Sequence, residues 1–411
     1  MMLSLAAWHS PRSGSLIEQI MDFKQHFSRS LQGVGSKLHF AAHSHHLWPD
    51  VSREAHMRAW DLAATQVDEK WDTIFSSVLP SAKAHIARML QLSNPDSLAF
   101  APNTHEFLKR IVSCFEVGRA VRILSTDSEF HTFERQTRRW EEVGLAEVVR
   151  VPCEDYDSFA ARFLQRAQEG SFDLVFVSHV FFNSGFVLQE FQELAHSLPP
   201  ETVIVLDAYH GFMAIPTDLS AVENRIFYLT GGYKYAMTGE GACFLHCPDG
   251  QLLKPVDTGW FAHFGSLESS GAGDAVQYGE HGQRFMGATF DPSALFRMVA
   301  VFDWLESIQV SVSDIHAHVR ALQGRFLERV AAGELPSLDG ASLLPGAEHA
   351  ERGHFLTFRT ERAAELHQAL RKLGVITDYR GDRLRFGFGL YHDEADVDAL
   401  CERVADVVVK A

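Results

Sequence analysis

The sequence contains little cysteine, and its cysteines follow no recognisable pattern. Five cysteines occur among 411 residues, an odd number, and none of them stands in a C-x-x-C pair. Disulfide-rich secreted domains and zinc modules need paired or closely spaced cysteines, so the sequence indicates neither class. We expect reduced and mostly buried thiols.

Positive charge is also scarce, and long apolar runs are missing. The chain has 37 Lys+Arg against 53 Asp+Glu, a formal net charge of −16, which argues against nucleic acid as the main partner. No stretch approaches the ~18 uncharged apolar residues that a membrane-spanning helix needs. Met1–Trp8 lacks the basic segment and the full apolar core of a signal peptide. We therefore expect no membrane partner and a cytoplasmic location.

Several catalytic motifs are absent as well. The sequence has no G-x-x-x-x-G-K-[ST] phosphate loop, no G-x-G-x-x-G opening a helix, no G-x-S-x-G and no H-E-x-x-H. What remains is the composition of an ordinary globular protein, 46% hydrophobic and 22% charged. At ~150 residues per domain, this length suggests two or three domains.

From about residue 98, short β-branched or aromatic runs alternate with longer amphipathic stretches. This rhythm favours an α/β fold in which helices cover both faces of a parallel sheet. The predicted strands are Leu98–Ala101, Val121–Ser125, Glu147–Val151, Leu174–Ser178, Val203–Asp207, Ile226–Thr230 and Ala242–His246. The predicted helices between them are Glu106–Phe115, Phe130–Val143, Asp157–Gln168 and Gln189–Leu198.

The C-terminal third has the pattern of a second, smaller α/β unit. Its predicted elements are helices near Ser293–Ser307 and Val312–Ala332, strands His354–Arg359, Val375–Asp378 and Arg383–Phe388, and a last helix. Leu335–Ala350 is predicted as a surface connection, and the Gly- and Ser-rich Gly265–Gly282 as a functional loop. We predict a large domain over residues 50–300 and a small domain formed by residues 1–49 and 301–411.

Two neighbouring predicted strands end in residues that suit catalysis. Asp207 ends TVIVLD, and ligands of open α/β sheets lie outside the carboxyl ends of strands. An Asp that merely caps the following turn is the alternative. IFYLTGGYKY ends with Tyr233 and Lys234 after a glycine pair. A lysine on such a short turn in a partly apolar site can form a Schiff base, and an aspartate on the previous strand can hold the protonated ring nitrogen of pyridoxal phosphate.

These segments resemble the fold-type I pyridoxal-phosphate enzymes of the class V branch, and among them the kynureninases. LDAYHGF (Leu206–Phe212) is similar to the D-x-x-H of that family, and GGYKY to its Y-K signature. The resemblance implies a fold-type I architecture, with a large domain built on a mostly parallel seven-stranded sheet. It also implies Lys234 as the Schiff-base lysine, Asp207 on the ring nitrogen with His210 beside it, and Tyr233 as phosphate ligand and proton-transfer partner.

Other segments extend the resemblance to further cofactor ligands. The predicted first helix of the large domain should meet the phosphate with its N-terminal N–H groups, which makes Thr104 and His105 phosphate candidates. Phe130 resembles the residue that supplies the ring stacked on the cofactor, with a core phenylalanine as the alternative. Three more candidates, also by resemblance, are Ser184 in Asn183-Ser184-Gly185, Trp260 after Gly259, and Thr289 in MGATFDP.

Two further segments, one near each end of the sequence, resemble kynureninase stretches and provide candidates for substrate binding. LRFGFGLYHDEADV (Leu384–Val397) resembles the kynureninase C-terminal stretch, which implies that Arg385 binds the substrate carboxylate, a role suited to a planar guanidinium. LHFAAHSHHLWP (Leu38–Pro49) resembles an N-terminal kynureninase stretch and contributes Ser44 and His43 as substrate-binding candidates. His43 and His45 would also face one side of a strand as metal ligands, but no suitable partner is spaced nearby, so no metal is predicted.

The resemblance implies a homodimer that binds pyridoxal 5'-phosphate and acts on a small amino acid. The expected reaction is hydrolytic Cβ–Cγ cleavage of L-kynurenine or a related aryl-keto amino acid, giving an anthranilate-type product and alanine. The catalytic residues would be Lys234, Tyr233 and Asp207. A class V aminotransferase or β-eliminating lyase on another amino acid would use the same three residues, and a cofactor-binding sensor without turnover is a third reading. Cysteine desulfurase activity is disfavoured, since no cysteine lies on a predicted mobile loop.

Overall fold

The structure is a computed structural model that describes residues 22–251, 253–266 and 275–407. Residues 267–274 of the predicted loop Gly265–Gly282, and the N-terminal segment with Met1–Trp8, lie outside the described residues. Among the helices described, none is both long enough and apolar enough to cross a bilayer.

The strands of the described residues form one large and two small sheets. They are β1 (Leu38–His39), β2 (Leu98–Ala101), β3 (Val121–Thr126), β4 (Ala146–Val151), β5 (Leu174–Ser178), β6 (Val203–Asp207), β7 (Ile226–Gly231), β8 (Cys243–His246), β9 (Leu343–Leu344), β10 (Phe355–Arg359), β11 (Val375–Ile376), β12 (Asp378–Arg380) and β13 (Arg383–Gly387).

The α-helices surround these sheets. They are α1 (Ser28–Val34), α2 (Asp50–Gln66), α3 (Lys70–Thr73), α4 (Leu79–Leu90), α5 (Thr104–Val112), α6 (His131–Glu142), α7 (Tyr156–Glu169), α8 (Phe191–Ser197), α9 (Ser293–Ser307), α10 (Val312–Ala331), α11 (Ala363–Lys372) and α12 (Glu394–Ala405).

The large sheet contains seven strands in the order β2-β8-β7-β6-β5-β3-β4. Every neighbouring pair from β7 to β4 is parallel, whereas β8 runs antiparallel between β2 and β7. Its central strands β5, β6 and β7 are buried almost throughout, as a sheet covered on both faces requires. The predicted mostly parallel seven-stranded sheet is confirmed, each strand within about a residue.

Helix α5 begins two residues before the predicted start, and its cap explains the difference. The side chain of Asn103 accepts a hydrogen bond from the backbone N–H of Glu106 at 3.1 Å. An N-cap of this kind satisfies a helix N–H group that has no partner within the helix. Thr104 and His105 therefore form the first turn of the helix.

The small sheets hold the C-terminal unit together. One has the order β12-β13-β10-β9, and the other pairs β1 with β11 in parallel. The predicted surface connection Leu335–Ala350 was thus partly wrong, because it contains β9, which pairs with β10. The predicted strand Val375–Asp378 is divided between β11 and β12, which pair with different partners.

The histidines that follow β1 do not form a strand. Residues 42–44 form a turn, so the expected strand carrying His43 and His45 on one face was wrong. The His43 side chain is buried, whereas the His45 side chain is exposed. The backbone N–H of His46 donates to the carbonyl of Tyr233 at 3.2 Å, which ties this turn to the segment after β7.

In the part of the chain that the structure describes, two hydrophobic clusters make up the core. The larger packs around the seven-stranded sheet, and the smaller joins Phe40 with residues of α10, α11, α12 and the β10-β13 region. The N-terminal segment thus contributes to the smaller cluster. The domain division at residue 300 stays a prediction.

Candidate active site

A cavity of about 400 Å³ opens where β5, β6 and β7 end and where α5 and α6 begin. This is the edge of the sheet at which α/β folds place ligands. The lining residues are Asn103, Thr104, His105, Leu108, Phe130, Thr132, Phe133, Phe176, Ser178, Val180, Phe182, Asp207, Tyr209, His210, Leu229, Tyr233 and Lys234.

Close backbone packing fixes the turn that carries Lys234. A Cβ atom on Gly231 would lie 2.1 Å from the hydroxyl of Tyr209. One on Gly232 would lie 2.1 Å from Thr238 Oγ1 and 2.8 Å from a backbone carbonyl. The glycine pair thus allows the approach that the sequence predicts for the lysine turn.

Lys234 is buried in the cavity wall, with only 5% of its surface exposed. Its Nζ lies 2.9 Å from Nε2 of His210. Burial lowers the pKa of Lys234 to about 7, although the nearby carboxylate of Asp207 opposes this shift. Burial also holds the pKa of His210 well below its usual value, so its ring is neutral and can accept a hydrogen bond from the lysine. A substantial fraction of Lys234 is therefore the nucleophilic free amine near neutral pH.

Asp207 ends β6 and faces the same cavity. Its Oδ1 accepts a hydrogen bond from the backbone N–H of Tyr209 at 2.9 Å, so the turn-capping interpretation is also correct. Burial raises the pKa of Asp207 to about 6, while that hydrogen bond and the charge of Lys234 lower it. A buried carboxylate next to a cavity can hold a cationic N–H group of a ligand.

The N-terminus of α5 forms another wall of the cavity. Thr104 and His105 line it there, in the first helical turn. Backbone N–H groups and the helix dipole make such an end favourable for anions. The Nδ1 atom of His105 is buried and has no hydrogen-bond partner among the described residues. This end of the cavity can therefore bind an anionic group.

Aromatic side chains line the opening of the cavity. The ring of Phe130 is 37% exposed, which excludes a core role, and it meets Phe182 edge to face at 5.5 Å. The Nζ of Lys234 lies 5.4 Å from the centre of the Phe130 ring. The ring of Tyr233 stacks on His45, with centroids 5.0 Å apart and planes 20° from parallel. A flat ligand would lie between such surfaces.

Arg385 reaches the neighbourhood of the cavity from β13. It is 3% exposed, donates to the carbonyl of Phe182 and forms an ion pair with Asp378. His43 is buried beside this pair, with its Nε2 3.8 Å from Asp378 Oδ2 and its ring stacked on Phe355. Arg385 and Lys234 are close enough for each charge to disfavour the other.

Arg385 and His43 do not line the cavity themselves, and the same is true of four further predicted site residues. Ser184 is fully buried, and its hydroxyl accepts from the backbone N–H of Phe186 at 3.2 Å. Ser44 lies in the turn after β1, 3.4 Å from Nδ1 of His45. Trp260 donates from Nε1 to Thr289 Oγ1 at 3.0 Å, so these two residues are adjacent to each other but outside the lining.

Three residues of the site region escaped the sequence analysis. The ring centre of Tyr209 lies 4.7 Å from Lys234 Nζ. Its position two residues after Asp207 is the feature of the sequence that could have indicated it. Glu129 accepts hydrogen bonds from Thr126 and from Ser178 behind the cavity wall. Asp378 pairs with Arg385 through strand register, which the sequence does not reveal.

Comparisons with known proteins agree with the sequence resemblance. Residues 315–404 match the family described as Kynureninase C-terminal domain. A kynureninase from Pseudomonas fluorescens is 27% identical over 226 residues, 52% of this chain and 51% of the relative. A kynureninase from Deinococcus radiodurans is 27% identical over 213 residues, 50% of each chain. The chain is therefore similar to kynureninases over about half of its length. Its matches span about half the length of these curated relatives.

Solved structures share the fold of this kynureninase-like chain. A mutant of C-DES with glycine covalently linked to the PLP cofactor has a TM-score of 0.77 at 18% identity, covering 92% of this chain and 98% of that one. The complex of the cystine C-S lyase C-DES with cysteine persulfide gives 0.76 at 18%, covering 92% and 99%. Cysteine desulfurase from Thermococcus onnurineus NA1 gives 0.75 at 16%, covering 92% and 95%. The predicted fold-type I architecture is confirmed.

Proposed function

We propose that the kynureninase-like chain is a pyridoxal-phosphate-dependent enzyme that acts on an amino acid. The observation that carries this proposal is the buried Lys234, which lies with His210 and Asp207 in one cavity at the strand ends. The residues present suit this cofactor. Thr104 and His105 offer an anion site, Lys234 a nucleophilic amine, and Asp207 a carboxylate.

Each residue would have a separate part in the chemistry. Pyridoxal phosphate, when bound, supplies a ring that withdraws electrons from the α-carbon of an attached amino acid. The carboxylate of Asp207 would hold a proton on the ring nitrogen, and Phe130 would cover the ring. Lys234, with its pKa lowered to about 7, can take up and return a proton near neutral pH. Tyr233, which lines the cavity, would be a further proton donor or acceptor.

The reaction that we propose is hydrolytic Cβ–Cγ cleavage of L-kynurenine or a related aryl-keto amino acid. Water adds to the γ-carbonyl, and the bond between Cβ and Cγ breaks to give an anthranilate-type acid and alanine. The similarity of residues 315–404 to the Kynureninase C-terminal domain supports this choice. The aromatic surfaces of Phe130, Phe182 and Tyr233 suit an aryl substrate.

The cysteines give a reason to prefer this reaction over cysteine desulfuration. Burial raises the pKa of Cys114 and Cys243 to about 12 and that of Cys401 to about 11, and it also raises the pKa values of Cys153 and Cys247. The thiolate is the reactive form of cysteine. A persulfide-carrying nucleophile would need a lower pKa and more exposure.

A homodimer and a cytoplasmic location are parts of the same proposal. Helix α2 exposes the apolar side chains of Met57 and Trp60, with 64% of Trp60 accessible. Exposed apolar patches on globular proteins commonly mark contact surfaces. Light scattering of the purified protein at several concentrations tests the dimer.

A visible spectrum with borohydride tests the proposed function. The purified protein should carry a cofactor band that borohydride removes irreversibly, and a Lys234→Ala variant should lack this band and all activity. Lys372→Ala is the control, because Lys372 is an exposed lysine at the end of α11 and does not line the cavity. Added L-kynurenine and 3-hydroxykynurenine should yield fluorescent aryl acid together with alanine in equal amounts.

The outcomes separate the alternatives. A spectral response to amino acids with a keto acid or an elimination product in place of the aryl acid would identify a class V aminotransferase or β-eliminating lyase. A protein with no cofactor band after incubation with pyridoxal phosphate would refute the cofactor proposal.

A further inference from the structure

We propose that Asp378 is an internal competitor for Arg385. Its carboxylate occupies Arg385 in the free protein and moves to Arg380 when the carboxylate of a small ligand binds Arg385. Asp378 would then set the affinity of the site for carboxylate ligands. This inference rests on the proposed function, in which Arg385 binds the substrate carboxylate.

Strand pairing places the acid next to the arginine. Strands β12 and β13 are antiparallel, and Asp378 is the direct register partner of Arg385. Side chains of directly opposed residues lie on the same face, a few ångströms apart. Oδ2 of Asp378 forms the ion pair with Arg385 Nη2. The carboxylate therefore occupies part of the guanidinium that a ligand carboxylate would need.

The donors of Arg385 are only partly used. Nη1 donates to the carbonyl of Phe182 and Nη2 to Asp378, whereas Nε is buried without an acceptor among the described residues. A guanidinium can bind one carboxylate with two parallel hydrogen bonds. A ligand carboxylate could thus satisfy the free donor as well as replace Asp378.

The released carboxylate has a second cation within reach. Oδ1 of Asp378 already lies 3.2 Å from Nη1 of Arg380, two residues along the same strand. Alternate residues of a strand share a face. Arg380 is half exposed, so Asp378 can turn towards it and towards water without leaving a buried, unpaired charge. Arg385 meanwhile keeps a negative partner, since the ligand replaces the one that it lost.

The buried side of the pair cannot take the carboxylate. His43 packs against the pair with both ring nitrogens buried and without hydrogen-bond partners among the described residues. Burial and the charge of Arg385 hold its pKa well below the usual value, so its ring is neutral and offers Asp378 no competing cation. Movement towards Arg380 is the exchange that the geometry allows.

Binding of propionate to the purified full-length protein tests this exchange. Propionate is titrated by isothermal calorimetry at constant ionic strength, with propionamide as the neutral comparison. In the Asp378→Asn variant, propionate should bind roughly tenfold more tightly than in the unaltered protein, because the competing state is removed. In the Arg380→Gln variant, it should bind severalfold more weakly, because Asp378 loses its alternative partner.

Two further variants serve as controls. Asp382→Asn removes an exposed carboxylate from the same hairpin and should leave propionate affinity unchanged. An Asp378→Asn/Arg385→Gln double variant should not show the tighter propionate binding of Asp378→Asn. Unchanged or weaker binding in Asp378→Asn, or unchanged or tighter binding in Arg380→Gln, would each overturn the proposal. If Asp378→Asn does not fold, Arg380→Gln alone decides.

The test is independent of the cofactor. Failure of the proposed function appears as a missing cofactor band, whereas failure of this inference appears as propionate affinities that do not follow the two substitutions. The two failures are therefore distinguishable on the same protein sample.

Discussion

Glu129 is a buried acid whose protonation should change the stability of the protein. Its carboxyl accepts hydrogen bonds from Thr126 and Ser178. Burial, helped by the charge of Asp207, raises the pKa of Glu129 to about 8. The folded state therefore keeps a proton that the unfolded state has lost above the ordinary pKa of 4.5. Between these two values, the free energy of unfolding contributed by this group falls as the pH rises.

A Glu129→Gln variant should remove this dependence. As the pH rises from 6 to 8.5, the unaltered protein should lose stability through this group and the variant should not. The difference in unfolding free energy between the two should therefore change by up to a few kcal/mol in favour of the variant, since one pKa unit corresponds to ~1.4 kcal/mol. Urea unfolding of both proteins at the two pH values measures the difference. If the unfolding free energies of the two proteins change equally between the two pH values, Glu129 is not protonated in the folded state.

Asp207→Asn should reduce catalysis far more than it reduces folding. The amide cannot hold a positive ring nitrogen, so kcat for the proposed reaction should fall by about 100-fold or more, as is typical of groups that stabilise charge in the transition state. Asp218→Asn is the matched control, because Asp218 is exposed outside the cavity. Steady-state kinetics with retained cofactor absorbance check the expectation, and equal kcat values in both variants would refute it.

Residues at strand ends could be predicted from the sequence, whereas residues joined by register could not. Lys234 and Asp207 each follow an apolar run that is recognisable as a buried strand, so their common edge could be inferred. The partner of Arg385 depends on which residue of β12 lies opposite it, and a shift of one residue would turn Asp378 to the other face. Glu129 stands in a loop after β3, where no periodic pattern marks burial.

At the scale of elements, the turn between β7 and β8 should not tolerate a side chain at Gly232. Gly232→Ala would place a methyl group 2.1 Å from Thr238 Oγ1 and 2.8 Å from the carbonyl of Gly239. We expect a lower melting temperature and weaker retention of cofactor, because the backbone that positions Lys234 must move. Thermal unfolding and cofactor absorbance measure both effects.

Gly324→Ala provides the control for this substitution. Gly324 lies within α10, and a Cβ atom there would meet nothing within 4 Å. Alanine favours a helix by roughly 0.5–1 kcal/mol over glycine, so this variant should be as stable as the unaltered protein or more so. Equal destabilisation by both substitutions would argue against a steric role for Gly232.

The elements that were predicted are those with strong local patterns. The seven strands of the large sheet are short apolar runs between amphipathic helices, and each was located. The two-residue strands β1 and β11 are too short for periodicity, so their pairing could not be inferred. The turn at His43 was mistaken for a strand, because it follows β1 closely and no local pattern marks where that strand ends.

At the scale of the whole molecule, buried histidines should make the fold sensitive to acid. Burial lowers the pKa of His39 to about 4, of His46 to about 3 and of His179 to about 4. It holds those of His354 and His392 well below the usual value. The unfolded chain would protonate them near pH 6.5, so the stability that they contribute is lost as the pH falls from 6.5 towards 4.

We therefore expect the free energy of unfolding to drop steeply between pH 7 and pH 5. Each such histidine lowers the free energy of unfolding by up to ~1.4 kcal/mol for each pH unit of acidification. Glu129 changes it in the opposite direction, but it binds at most one proton. Denaturant titrations at pH 7, 6 and 5 measure the slope. A stability that is constant over this range would show that these rings are protonated in the folded state.

The parallel pairing of β1 with β11 has a consequence for the timing of biosynthesis. Leu38 pairs with Val375, so the strand made first must await a partner 337 residues later. At ~5–20 residues per second, that wait is on the order of 20 to 70 s on the ribosome. Phe40, which belongs to the smaller hydrophobic cluster, is meanwhile without its packing partners. The C-terminal unit can reach its native pairing only after residues 375 and 376 have been made.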